Sequence, residues 1–209
     1  MENILVAGAN GTTGKKIVNI LAQSQYFNPV AMVRKESQME QFKAKNIEVI
    51  LGDLEDDISN STNNIDKVIF AAGSGGKKVV EVDQEGAKKL VDASKASNVK
   101  KFVMLSSMGA DQPEKAEKLK DYLQAKHNAD VHLKNSGLNF AIVRPGSLTD
   151  NKGIGKIVLS ERLSQEGNIS RDDVAQTLVR ALHDDVANHK TFEILEGETL
   201  IGQALDTVE

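Results

Sequence analysis

Cysteine is absent from the 209-residue sequence, which excludes disulfide bonds, thiolate catalysis, cysteine-ligated zinc and iron–sulfur clusters. Long apolar runs are absent too, because the longest fall far short of the roughly 20 residues that cross a bilayer. The N-terminus lacks the basic start and the cleavage site of a secretory signal. We therefore expect a soluble, cytoplasmic protein.

The sequence also has no excess of positive charge. Lys and Arg number 26 against 30 Asp and Glu, so the formal net charge is −4. Because phosphates select for a basic surface, this balance argues against nucleic acid and anionic membranes as partners. The four histidines, His127, His132, His183 and His189, are not paired at the helical spacing that a metal site uses. We expect no metal, a small-molecule substrate, and a monomer or weak homodimer.

The hydrophobic content of 40% suffices for one core but not comfortably for two, so residues 1–209 are expected to form a single domain. Short β-branched runs alternate with amphipathic stretches along the chain, without an internal repeat. The predicted strands are Ile4–Ala7, Val30–Val33, Ile47–Leu51, Val68–Ala71, Phe102–Leu105, Phe140–Val143 and Phe192–Leu195.

Five amphipathic patterns between or after these strands predict helices, and a short closing helix is expected within Gly197–Glu209. The helical patterns are Ile17–Leu21, Met39 with Phe42, Ala87–Val91, Leu119–Leu133 and Val174–Leu182. Apolar strands that are mostly followed by helices indicate a parallel sheet covered on both faces. The predicted fold class is α/β, a three-layer doubly wound parallel sheet. The segments Gly73–Lys78, Gly109–Glu114 and Thr149–Gly155 follow strands, where such a sheet places its ligand loops.

Three glycines recur at every third position between the first strand and the first helix. Gly8 allows a tight turn, Gly11 lets backbone amides approach a diphosphate, and Gly14 lets the helix pack close to the sheet. The free amides and the positive end of the helix dipole would hold the negative charge. An ordinary glycine-rich turn is the alternative. The predicted dinucleotide contacts in this loop are Gly8, Asn10, Gly11, Thr12, Thr13 and Gly14.

The second strand is followed by Arg34 and Lys35, where a cofactor without a 2′-phosphate usually meets an acidic residue. Arg34 can pair bidentately with a 2′-phosphate, so NADP is favoured over NAD. The alternative is a solvated basic strand end. Asp53, after the third strand, could accept a hydrogen bond from the adenine amino group, or could be a turn residue.

Further motifs occur in order along almost the entire chain. They are Gly52-Asp53-Leu54, Ala71-Ala72-Gly73, Val82-Asp83-Gln84-Glu85-Gly86, Leu105-Ser106-Ser107, Tyr122-Leu123-Gln124-Ala125-Lys126, Arg144-Pro145-Gly146 and Ile169–Ala175. With the spaced glycines, they make the sequence resemble the short-chain dehydrogenase/reductase superfamily. The resemblance is to its atypical NAD(P)-binding branch, which is related to the epimerases/dehydratases and includes NmrA-like proteins. It implies a Rossmann fold.

The resemblance implies a catalytic set of Ser107, Tyr122 and Lys126. Ser107, with Ser106 as the neighbouring alternative, would hold the substrate carbonyl, and Tyr122 would be the general acid or base. Lys126 would bind the nicotinamide ribose and favour the ionised tyrosine. The superfamily's active-site Asn is replaced by Asp83, which would hold Lys126 by charge and reduce its help to Tyr122. The implied cofactor contacts also include Leu54, Ala71, Ala72, Gly73, Lys126 and Pro145.

Helical spacing agrees with the proposed pair, because Tyr122 and Lys126 are four residues apart and share one helix face. A nearby ammonium ion favours a phenolate. In the alternative interpretation, Tyr122 packs as a half-buried aromatic between Leu119 and Leu123, and Lys126 points to solvent.

These features predict an NADP-dependent oxidoreductase that acts on a small carbonyl or a planar acceptor. Extended members of the superfamily build a C-terminal domain for a nucleotide sugar, whereas only about 65 residues follow Arg144 here. We therefore expect a minimal C-terminal substrate region. Epimerisation or dehydration would use the same groups. The rival hypothesis is a non-catalytic NADP-binding redox sensor, resembling NmrA-like proteins, that regulates a protein partner.

Overall fold

A nine-stranded sheet, seven strands of which are parallel, forms the centre of the computed structural model, which describes residues 1–208. The elements of the first part are β1 (Glu2–Ala7), α1 (Thr12–Leu21), β2 (Phe27–Val33), α2 (Glu40–Lys43), β3 (Glu48–Leu51), β4 (Lys67–Phe70), α3 (Ala87–Ala96), β5 (Lys101–Leu105), α4 (Lys120–Asn135) and β6 (Phe140–Pro145). Those of the second part are β7 (Ser147–Thr149), β8 (Lys156–Ser160), β9 (Asn168–Ser170), α5 (Arg171–Arg180), β10 (Lys190–Glu196), β11 (Thr199–Leu200) and α6 (Ile201–Asp206).

The strand order confirms the predicted doubly wound topology. The order across the sheet is β11-β8-β10-β6-β5-β4-β1-β2-β3, and β3 to β10 in this row are parallel. The chain winds outward in both directions from β1 and β4, which are adjacent and in register from Ile4↔Lys67 to Ala7↔Phe70. In a sheet of this kind, a ligand crevice opens beyond the carboxyl ends of the strands at this point.

Each face of the sheet carries its own apolar core. The side chains of β1 alternate, so that Ile4 and Val6 join one core while Leu5 and Ala7 join the other. The helices α1, α5 and α6 cover the first face, and α3 and α4 cover the second. Since both faces are buried, the strands have the near-continuous apolar sequences that predicted a parallel sheet.

The structure differs from the sequence prediction mainly in the C-terminal part. Four strands were not predicted: β7 and β9, which pair in a separate two-stranded sheet, and β8 and β11, which are antiparallel at one edge. They are short or only partly buried, so they lack a strong apolar pattern. Thr149, predicted as loop, therefore belongs to β7.

Helix bounds also differ from the predictions. The segment marked by Met39 and Phe42 forms only the four-residue helix α2, and α5 ends before Leu182. The expected closing helix is α6, while Glu209 lies outside the described residues. Within residues 1–208, none of the helices has the length and apolarity needed to cross a bilayer.

A buried carboxylate fixes the segment that leads from β7 to β8. Asp173 is fully buried, and its oxygens accept hydrogen bonds from the backbone N–H groups of Ile154 (3.1 Å) and Gly155 (2.7 Å). The Ser170 hydroxyl also donates to it at 2.8 Å, and the same hydroxyl accepts from the N–H of Asp173 as the N-cap of α5. One side chain thus joins the β7–β8 connection to the start of α5.

Replacing this carboxylate by an amide tests the connection. In Asp173→Asn, an N–H₂ group would face backbone N–H donors, so we expect the free energy of unfolding to fall by about 2–3 kcal/mol. Urea denaturation measures the change, and the exposed Asp185→Asn serves as the control with an effect below about 0.5 kcal/mol. Equal losses in the two variants would show that Asp173 does not hold this segment.

Candidate active site

A cleft of about 960 Å³ opens at the carboxyl ends of the parallel strands. It is lined by the loop that follows β1, the end of β2, the segments after β3, β4 and β5, and the start of α4. The C-terminal part adds Leu148 from β7 and Arg171 from α5. The cleft therefore lies at the position where the topology places a ligand.

The backbone of the glycine loop approaches the segment after β4 too closely to leave room for side chains. Gly8 has a φ of 83°, and a Cβ there would lie 2.6 Å from the Cα of Ala72. A Cβ on Gly14 would collide with the carbonyl oxygen of Gly8. The N–H of Gly11 donates to that same oxygen at 2.9 Å and closes the turn.

The N-terminus of α1 is left free for an anion. Gly11 occupies the N-cap position, and among residues 1–208 no side chain caps this helix and its first turn contains no acidic residue. The first N–H groups and the positive end of the helix dipole therefore face no protein anion. This cradle fits a diphosphate group.

The proposed adenosine end of the cleft contains Arg34, whose side chain is exposed and lines the cleft. The backbone N–H groups of Arg34 and Lys35 both donate to Oε1 of Gln38 at 3.2 Å, which fixes the turn after β2. Asp53 also lines the cleft, but its Oδ1 accepts from the N–H of Glu55 at 3.1 Å, so it has a turn-forming bond as well.

Helix α4 brings Tyr122 and Lys126 together at the cleft. The Lys126 ammonium lies 5.6 Å from the centre of the Tyr122 ring, 3.4 Å from Oδ1 of Asp83 and 3.4 Å from the carbonyl oxygen of Leu105. The side chains of Lys126 and Asp83 are 5% and 2% exposed, respectively. The structure thus excludes the alternative in which Lys126 points to solvent.

Asp83 lies in a π-helical segment, Val79–Gly86, that precedes α3. Its second carboxylate oxygen accepts from the backbone N–H of Ser74 at 3.0 Å, so one buried side chain contacts both Lys126 and the loop Gly73–Lys78. In this loop, the buried Oγ of Ser74 has no hydrogen-bond partner within residues 1–208. An unpartnered hydroxyl on a residue that lines the cleft is consistent with a site for a polar ligand.

The two neighbouring serines have different surroundings. Ser106 lines the cleft, and its hydroxyl donates to the buried Oδ2 of Asp130 at 3.0 Å. Arg144 donates to the same oxygen through Nε (3.0 Å) and Nη2 (2.8 Å). Burial raises the pKa of Asp130, and the Arg144 guanidinium acts in the opposite direction. The half-buried Ser107 donates to the carbonyl oxygen of Met108 at 3.2 Å.

Thirteen of the seventeen predicted site residues line the cleft. They are Gly8, Asn10, Gly11, Thr12, Thr13, Arg34, Asp53, Leu54, Ala71, Ala72, Gly73, Tyr122 and Lys126. Gly14, Lys35, Ser107 and Pro145 lie outside its lining. Gly14 instead packs α1 against the turn at Gly8.

Sequence reasoning gave no role to three residues of this region. Leu148 belongs to the three-residue strand β7, and Arg171 follows the three-residue strand β9. Strands this short have no recognisable apolar pattern, so the sequence did not indicate that these residues lie at the cleft. Asp130 carried a usable signal, since it lies one helical turn beyond Lys126 and thus on the same face of α4.

Comparison with known proteins gives a consistent result. The family model described as NAD(P)H-binding matches residues 8–185. YhfK of Bacillus subtilis, an uncharacterized sugar epimerase, is 37% identical over 97% of this chain and 98% of its own length.

Two solved structures are also similar over nearly their full length. A candidate NAD-dependent epimerase/dehydratase from Bacillus halodurans is 34% identical, with a TM-score of 0.94 and coverage of 99% of both chains. The oxidoreductase YlbE from Lactococcus lactis is 31% identical, with a TM-score of 0.89 over 99% of this chain and 96% of its own. With its doubly wound sheet and its glycine cradle, the chain belongs to the NAD(P)H-binding Rossmann family of oxidoreductase- and epimerase-like proteins.

Proposed function

We propose that the protein is an NADP-dependent oxidoreductase that reduces a small carbonyl or a planar acceptor. The observation that carries the proposal is that one cleft contains both the diphosphate cradle at α1 and Tyr122 beside the buried Lys126–Asp83 pair. We further propose that residues 1–209 act as one cytoplasmic domain, as a monomer or weak homodimer.

The cradle at Gly8–Gly14 would hold the diphosphate, and Arg34 with Lys35 would face a 2′-phosphate. Asp53, Leu54 and Ala71–Gly73 would contact the adenosine half and the centre of the dinucleotide. Lys126 would bind the nicotinamide ribose, with Pro145 beside the ring. When bound, NADPH supplies a hydride.

Tyr122 is the group that would deliver the proton at its Oη to the acceptor oxygen. Lys126 stands beside the ring with its ammonium 5.6 Å from the ring centre, where its charge stabilises the phenolate left after transfer. Asp83 lies 3.4 Å from that ammonium, and its negative charge partly cancels the positive potential of the lysine at the tyrosine. Both neighbours would therefore influence proton transfer from Tyr122.

Ser107 would orient the reacting oxygen, with Ser106 as the alternative. The Ser106 hydroxyl donates to Asp130, so its proton is engaged and its oxygen is left as an acceptor. The Ser107 hydroxyl makes a longer bond, 3.2 Å, to the adjacent Met108 carbonyl. This local bond is the more easily exchanged for a substrate carbonyl, whereas Ser106 is the one of the two that lines the cleft, so Ser106 remains the alternative.

Two other functions remain as candidates. Epimerisation or dehydration through a keto intermediate uses the same side chains, and the similarity to a sugar epimerase favours it. A non-catalytic NADP sensor is favoured by the direct Lys126–Asp83 ion pair, which weakens the effect of the lysine on Tyr122. Turnover that depends on Tyr122 separates the enzymes from the sensor.

Cofactor preference tests the assignment of Arg34. Titration calorimetry should give a Kd for NADPH at least roughly tenfold lower than for NADH, because a guanidinium pairs with the 2′-phosphate. Arg34→Asp should abolish or reverse this preference, whereas Lys95→Asp, an exposed cation at the far end of α3, should keep it. Equal affinities for the two cofactors in the unmodified protein would refute the NADP assignment.

Turnover tests the role of Tyr122. A screen of carbonyls, quinones and flavins for NADPH consumption identifies an acceptor, and Tyr122→Phe should then lower kcat by about 10²–10⁴ while leaving the Kd for NADPH unchanged. The matched control is Tyr26→Phe, since Tyr26 is the other tyrosine of the sequence and is 66% exposed. Unchanged turnover in Tyr122→Phe would remove the proton-transfer role.

The pH profile tests the influence of Asp83. Asp83→Asn leaves the Lys126 ammonium without its buried counter-charge, so the positive potential at the Tyr122 hydroxyl increases. The pH–kcat profile for reduction should therefore differ from that of the unmodified protein. Glu81→Gln, an exposed acid in the same π-helical segment, is the control. A profile that coincides with the control would mean that Asp83 does not act on the pair.

A further inference from the structure

The C-terminal part of the chain contributes one charged side chain to the cleft. Strands β7 and β9 pair in parallel with Thr149 opposite Ser170, so the residues that follow them, Asp150 and Arg171, come side by side. Nη1 of Arg171 lies 2.9 Å from Oδ1 of Asp150. Arg171 lines the cleft together with Leu148 from β7.

The present partner of Arg171 is weakly held. The Asp150 side chain is 75% exposed, whereas that of Arg171 is 25% exposed. An ion pair with such an exposed carboxylate contributes little to stability, because water solvates the acid. A ligand oxyanion inside the cleft could therefore replace Asp150, and the guanidinium would bind it with two parallel hydrogen bonds.

Apart from the exposed Lys77 on the loop Gly73–Lys78, the other positive charges of the cleft are balanced within the protein or assigned to the cofactor. Lys126 pairs with the buried Asp83, and Lys78 pairs with Glu55 at 2.7 Å. Arg34 stands at the proposed 2′-phosphate position, and the free N-terminus of α1 provides for the diphosphate. Arg171 comes from outside the cofactor-binding strands, so its charge is available to the second ligand.

Apolar groups accompany this charge. Leu119, which precedes α4, lines the cleft although 59% of it is exposed to solvent. Leu148 from β7 also lines the cleft. An exposed leucine at the mouth of a cleft gains free energy when an apolar ligand covers it. Tyr122, which lies less than one helical turn after Leu119, places the proposed proton donor next to this leucine.

We propose that the acceptor is an apolar molecule with an attached oxyanion, a carboxylate or a phosphate, and that Arg171 binds this oxyanion after releasing Asp150. The inference rests on the proposed function, because it names the substrate class of the same site. Leu119 and Leu148 contact the apolar body, and Arg171 sets specificity. The charge of the acceptor thus orients it, and Tyr122 donates a proton to its reacting oxygen.

Direct binding tests the proposal without turnover. The probes are anthracene-2-carboxylate and the uncharged anthracene-2-carboxamide, titrated by fluorescence into the protein saturated with NADP⁺. The carboxylate should bind at least tenfold more tightly than the amide. Arg171→Gln should remove this difference and leave the amide affinity unchanged, and Arg171→Lys should retain part of it. Arg162→Gln, which removes an exposed arginine paired with Asp111, is the control and should behave like the unmodified protein.

A second variant gives an effect of the opposite sign. Asp150→Asn frees Arg171 from its competing carboxylate, so the anionic probe should bind about threefold more tightly and the amide equally well. A purely structural ion pair would not improve binding when it is broken. Equal affinities of the two probes in the unmodified protein, or a carboxylate preference that survives in Arg171→Gln, would overturn the proposal.

Two further measurements separate the possible failures. If Arg171→Gln weakens NADPH binding by the same factor as probe binding, the arginine serves the cofactor and the proposal is wrong. NADPH oxidation is then compared between 9,10-anthraquinone-2-carboxylate and uncharged 9,10-phenanthrenequinone. Consumption of NADPH without any dependence on Arg171 would keep the proposed function and reject the anion site. A carboxylate preference in binding without NADPH consumption by any acceptor would support the anion site and reject the reductase.

Discussion

The close approach of the β1–α1 loop to the segment after β4 is the constraint on which the cleft depends. Gly8 turns sharply out of β1, and a single methyl group there would meet the backbone at Ala72. A Cβ on Gly14 would likewise collide with the carbonyl oxygen of Gly8. Because backbone atoms alone define this turn, the amides at the start of α1 are held in place by packing, without the help of flexible side chains.

Helix α4 organises the charged groups next to this cradle. Tyr122, Lys126 and Asp130 follow each other at intervals of four residues and so lie along one face. Lys126 meets Asp83 from the π-helical segment, and Asp130 meets Arg144 from β6. Buried ion pairs add little net stability, although removal of one partner is costly. Their main effect here is therefore positional, since they fix where an ammonium and the Ser106 hydroxyl stand.

Most of the sheet could be predicted from sequence because its strands are buried on both faces. The apolar runs predict seven strands, and the family resemblance places Asp83 beside Lys126, where the structure has it. The burial of the first residues of two strands could not be predicted in this way. Lys67 and Lys101 begin β4 and β5 and are each only 1% exposed, although lysine is typical of surfaces.

Distant partners explain these two lysines. The Lys67 ammonium is 2.6 Å from Asp184 and 2.7 Å from Glu2, and that of Lys101 donates to the carbonyl oxygen of His183 at 2.9 Å. Local sequence carries no information on contacts between residues more than 80 positions apart, such as the bond from Lys101 to His183. The same limit applies to the pairing of Ser106 with Asp130, which only the packing of α4 against the sheet brings about.

The part of the cleft that we propose to bind the substrate is formed by the segment whose strands are least apparent in the sequence. Strands β7 and β9 have three residues each, too few to form a stable sheet on their own. The buried Asp173 ties the loop after β7 to the start of α5, and so holds the region of Leu148 and Arg171 through hydrogen bonds to the backbone. On the function proposed above, the glycine cradle of the family would account for the nicotinamide cofactor, and Leu148 and Arg171, which β7 and α5 add to the cleft, would distinguish the substrate.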